Sequence, residues 1–125
     1  MSMVVIKKFE NVIPVDFGEF ELKFVTSDEN ILKLANVEEK AGVVKDKIGE
    51  LKGTTEDIKL IYDLAKELWV ELFDEETFEK VYNLYNKSCM PTLLAVFQTL
   101  FGITQELGSS YSPDKLIKYL NINHA

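Results

Sequence analysis

The chain has 125 residues, 46% hydrophobic and 28% charged, a balance that excludes a disordered chain and is enough for one core without disulfide or metal staples. Acids outnumber bases by 21 to 14, for a formal net charge of -7, so neither nucleic acid nor an anionic membrane surface is an expected partner. Cys89 is the only cysteine, no basic segment leads into an apolar run at the start, and the apolar run Leu93–Phe97 is far short of the roughly 18–20 residues a membrane span needs. The expectation is a cytoplasmic protein.

Residues 12–25 read as a hairpin. Ile13, Val15 and Phe17 alternate with Val12, Pro14 and Asp16, and Phe20, Leu22 and Phe24 alternate with Glu21, Lys23 and Val25. A period of two places one set on a buried face. Gly18-Glu19 suits a tight turn, and Pro14, which has no N–H to donate, assigns its strand to an edge. Two strands alone are marginal, so the hairpin has to lie on helices.

Thr26-Ser-Asp-Glu29 has the form of a capping box and starts a helix expected to reach about Lys52. Leu34, Val37, Ala41, Val44, Ile48 and Leu51 recur at steps of three and four, giving one apolar seam. Gly42 and Gly49 each cost about 1 kcal/mol of helix propensity relative to Ala, and close packing of another backbone is the reading we adopt. Gly53 ends this helix, and Thr54-Thr-Glu-Asp57 opens a second to about Phe73 with Ile58, Ile61, Ala65, Leu68 and Leu72 on its apolar face. Asp74 is the expected N-cap of a third, shorter helix carrying Phe78, Val81, Tyr82 and Tyr85. After a break at Ser88–Pro91, Leu93, Leu94, Phe97, Leu100, Phe101 and Ile103 cover so wide an arc that the fourth helix should be the most buried, closing at Gly108. The tail 109–125 is polar at first, and Ser112-Pro113 can cap a short helix through Leu116, Ile117 and Leu120. The whole, residues 1–125, reads as one mainly helical α+β domain, with a hairpin over 12–25 packed on about four helices over 27–107.

Catalytic signals are sparse. His124 is the lone histidine, and there is no phosphate loop, nucleophile elbow or zinc spacing, so no metal or cofactor is expected. Cys89 precedes a helix start but has no partner histidine, which favours a small buried residue over a nucleophile. Asp63, Glu67 and Glu71 are four apart on one helix face, and Glu75 and Glu79 continue the spacing. They read as a solvated face, or as a ridge retained against a basic partner. The aromatics Trp69, Phe73, Tyr82, Phe97 and Phe101 read as core by their spacing, yet they are many for a small core and are the candidate partner-binding residues.

The acidic, aromatic segment ELFDEETFEKVYNLY, a short break and the apolar TLLAVFQTLFGITQEL follow a hairpin, VIPVDFGEFELKF, that leads into DENILKL. In pattern and order, over most of residues 12–107, this resembles the tail assembly chaperones of long-tailed bacteriophages. The resemblance implies a small, helical, non-enzymatic protein made in the host bacterial cytoplasm and absent from the finished tail. It implies binding to the long tape-measure protein, which such chaperones keep soluble while tail-tube subunits assemble, and in many cases a longer frameshifted form. No matched position is a known functional residue of that family, and the chain after Leu107 departs from the pattern. Beside this expectation stand two others: an acidic inhibitor or DNA mimic that uses Asp63–Glu79 against a basic protein, and a small hydrolase or transferase that uses those carboxylates. Homo-oligomerisation stays open.

Overall fold

The structure is a computed structural model that describes residues 2–6, 10–110 and 117. An antiparallel hairpin of β1 (Val12–Asp16) and β2 (Glu21–Val25) is followed by α1 (Asp28–Ile48), α2 (Asp57–Leu72), α3 (Glu75–Leu84) and α4 (Cys89–Ser110). This is the mainly helical α+β architecture expected from the pattern. His124 and the expected tail helix, Ile117 apart, lie outside the described residues.

The hairpin register pairs Ile13 with Phe24 and Val15 with Leu22, and these four side chains form its inner face. Gly18 alone of the two turn residues has a positive φ, +86°, as a type II′ turn requires, and its N–H donates to Asp16 Oδ1 at 2.7 Å. Backbone bonds from Phe17 to Phe20 and from Thr26 to Asn11 mark the hydrogen-bonded pairs. Such pairs alternate along a ladder, so Pro14 opposite Lys23 falls on a non-bonded pair and its nitrogen faces away from β2. Proline therefore costs this hairpin no bond, and it denies a donor to any strand arriving at the outer edge of β1.

The helix caps are local and mostly follow the sequence, with shifts. Ser27, not Thr26, caps α1, accepting from the Asn30 N–H at 3.2 Å, while Thr26 is taken into the hairpin ladder. The first helix stops at Ile48 rather than Lys52. Gly49 is its C-cap, three-residue bonds from Glu50 and Leu51 tighten the last turn, and Gly53 at φ +77° redirects the chain. Asp57 Oδ2 accepts from Gly53 and Thr54 N–H groups, closing the turn ahead of α2. Asp74 caps α3 as expected, accepting from Thr77 N–H at 2.7 Å. At the far end of α3, Asn86 and Lys87 both have positive φ. Bonds from Lys87 N–H to Tyr82 O and from Asn86 N–H to Asn83 O make the helix stop of a Schellman motif.

Helix α2 is central, packed against α4, α3 and α1, while β1 reaches α4. Its inward face carries Ile61, Leu64, Ala65, Leu68, Trp69 and Leu72, all buried. Against these pack Leu34, Val37, Ala41 and Val44 of α1, Phe78 and Val81 of α3, and Leu93, Val96, Leu100 and Ile103 of α4. Four expectations fail here. Ile58 is 56% exposed because α2 has only begun where it lies. Leu94 and Phe101 are 53% and 66% exposed, so α4 is not buried all round, and it runs through Gly108 to Ser110. Close backbone packing at Gly42 also fails, since a Cβ built there would meet nothing within 4 Å.

Candidate functional site

The five candidate aromatics divide by burial. Trp69 is fully buried, with its indole N–H donating to Thr92 O on α4 at 2.8 Å, so it belongs to the core and not to a contact surface. Phe17 lies 6.0 Å from it and stacks on Phe20 at 5.0 Å, while Phe73 bridges Trp69 and Phe24 at 6.1 and 6.2 Å. This aromatic group fastens the hairpin to α2, and Phe73 is half-buried within it. Tyr82 is also half-buried, stacked on Phe78 at 5.5 Å and edge-on to Tyr62 at 5.3 Å. Phe97 packs partly on the core, and Phe101 projects outward.

Phe97 and Phe101 belong to a row. Met90, Leu94, Phe97 and Phe101 follow one another at steps of four, three and four along α4, and Met90 is 43% exposed. Residues at that spacing share one face of a helix. Gln98, Thr104 and Gln105 are the exposed polar residues beside the row, and Glu106 is the only charged residue in the whole of α4. A solvent-facing helix side without charge is unusual in a chain that is 28% charged, which makes this row the candidate contact surface. Sequence reading placed Leu94 in the core and passed over Met90. The signal that finds both is the near absence of charge from α4, where Glu106 alone carries one.

The acidic ridge is not bare. Lys40 of α1 donates to Glu71 Oε2 and lies 3.7 Å from Glu67 Oε1, and Lys66 lies 3.4 Å from Glu75 Oε1. The hydrogen bond to Glu71 holds the Lys40 ammonium above its ordinary pKa. Asp63 and Glu79 remain solvated. Three of the five carboxylates thus face lysines of the same chain, which weakens the ridge as a lure for a basic partner. Thr104 Oγ1 donates to Glu38 Oε1, tying α4 to α1 beside the apolar row.

Two concavities flank α4. One, of about 530 Å³, runs between β1 and α4, lined by Pro14, Val15, Tyr85, Gln98 and Gly102 among others. The other, of about 660 Å³, opens where α2 begins and α3 gives way to α4. Cys89 lies at its floor, buried, with its thiol 3.5 Å from Ile58 O. Among the described residues no three His, Cys, Asp or Glu side chains converge as metal ligands, and no helix is long and apolar enough to cross a membrane. Comparison with known protein families, with curated proteins and with solved structures finds no match to this chain.

Proposed function

We propose that this protein is a tail assembly chaperone of a long-tailed bacteriophage, a non-enzymatic protein that holds the tape-measure chain soluble while the tail tube assembles. The observation that carries the reading is the uncharged outer face of α4, where Met90, Leu94 and Phe101 stand exposed and Phe97 half-buried. Such a face suits a long helical client whose own apolar stripe would otherwise aggregate, because a row at steps of three and four meshes with a row of the same spacing. The similarity in segment order supports the same reading. A tail-tube gene upstream and a gene for a very long helical protein downstream would support it further.

Titration calorimetry with the cognate tape-measure fragment, at low and high salt, tests the proposal. Apolar burial is worth about 25 cal/mol per Å² and is hardly screened, so affinity should hold across salt and fall at least tenfold in Leu94→Glu or Phe101→Glu. Binding through the Asp63–Glu79 ridge, as an acidic inhibitor or DNA mimic would use, predicts the reverse: steep loss with salt and indifference to both substitutions. That result would overturn the chaperone reading.

A further inference from the structure

The concavity at the start of α4 has a composition that the function so far leaves unused. Its walls are Ile58, Tyr62, Tyr82 and Met90, and its rim carries Lys59 and Lys87. No carboxylate lines it, although the chain as a whole carries 21 acids against 14 bases. Lys59 and Lys87 have no ion pair among the described residues, which is also true of Lys23, Lys33, Lys45, Lys47 and Lys52, but these two share one hollow without a carboxylate. Lys87 is not on a loose loop. Its backbone is held left-handed at φ +60° by the 2.8 Å bond to Tyr82 O, so the turn fixes where its side chain starts.

Met90 is shared. It forms a wall of this pocket and is also the first member of the α4 row that ends at Phe101. The row spans twelve residues, eleven steps or about 17 Å at 1.5 Å per residue, so one client helix of three to four turns covers it. Such a helix, continued past Met90, brings its next turn over the pocket. Two unpaired ammonium groups around an apolar hollow complement a bulky apolar side chain flanked by carboxylates, and they repel a basic segment.

Resting on the chaperone reading, we infer that the pocket walled by Ile58, Tyr62, Tyr82 and Met90 is the anchoring site for the acidic end of an amphipathic client helix, with Lys59 and Lys87 setting its direction along α4. The pocket selects which client segments are held and which way round they lie. The α4 row supplies the apolar contact common to all of them.

The test uses the full chain and two synthetic helical peptides with the same leucine row, one ending in a Leu flanked by two Glu and the other with both Glu replaced by Lys. Fluorescence anisotropy should show the acidic-ended peptide binding about five- to tenfold more tightly at low salt, as two partly exposed ion pairs allow. The preference should vanish in Lys59→Glu/Lys87→Glu, with circular dichroism verifying the fold. Equal binding of the two peptides, or a preference that survives Lys59→Glu/Lys87→Glu, overturns the pocket inference and leaves the α4 reading standing. Binding of neither peptide overturns the pocket inference as well. If the cognate tape-measure fragment also fails to bind, the chaperone reading falls with it.

Discussion

Asp74 shows how one side chain sets an element boundary. Its carboxylate accepts from the Thr77 side chain and the Thr77 N–H, and these bonds, the side chain's first, hold its pKa below the ordinary 3.8. A depressed folded-state value means the cap's stabilisation is complete above pH 3.8 and is lost as the pH falls through the depressed value. Asp74→Ala should cost about 1 kcal/mol at neutral pH, a typical loss for an N-cap. Urea titrations at neutral pH and well below pH 3.8 should show the difference between variant and parent shrinking in acid. A difference that stays constant would mean the carboxylate charge contributes nothing. Trp69 makes the complementary point, since a residue with an aromatic body and one N–H can be satisfied on a surface or in a core. Here Thr92 O accepts the hydrogen bond and the neighbouring phenylalanines close over the ring.

At the scale of elements, α1 and α4 carry opposite lessons. Gly42 lies mid-helix with open space where a Cβ would stand, so Gly42→Ala should stabilise the protein by about 0.5–1 kcal/mol. Thermal unfolding would check this, and a destabilised variant would reveal a close contact at that position. On α4, Leu100 is buried and Phe101, the next residue, is 66% exposed. Leu100→Ala should cost about 2–5 kcal/mol, whereas Phe101→Ala should fall within about 0.5 kcal/mol of the parent. Chemical denaturation of both variants separates the faces of the helix. Comparable losses would mean that Phe101 is packed and that the outer row is core.

For the whole molecule the decisive property is where the charge of -7 resides. It is excluded from α4, Glu106 apart, and along the α1–α2 face it is partly offset by Lys40 against Glu67 and Glu71. Lys40→Ala takes the formal charge from -7 to -8 and leaves two glutamates four apart on α2 without their counter-ion. Its melting temperature should be lower than the parent's at low salt and approach it at high salt, since the screening length shrinks from about 10 Å at 0.1 M to about 3 Å at 1 M, the scale of these contacts. An identical salt response in both proteins would show that the lysine does not offset the ridge. The same separation leaves α4 with an uncharged outer face on an otherwise acidic protein.

The part of the structure made by near neighbours is legible in the chain itself. The hairpin with its turn at Gly18, the order of four helices, the cap at Asp74 and the stop before Pro91 all rest on bonds a few residues apart, so their signals lie in short windows. The one-residue shift of the α1 cap to Ser27 is a contest of the same local kind, decided when the hairpin ladder drew in Thr26. Which side of α4 faces inward was settled by packing. A helix with apolar or small uncharged residues at nearly every position has no polar side to mark its exterior, and the choice fell to the shape of α2, which took Leu93, Val96 and Leu100 and left Leu94 and Phe101 outside. The pairing of Lys40 with Glu71, and of the Trp69 indole with Thr92, likewise depended on packing, because partners 31 and 23 residues apart meet only once the helices have docked.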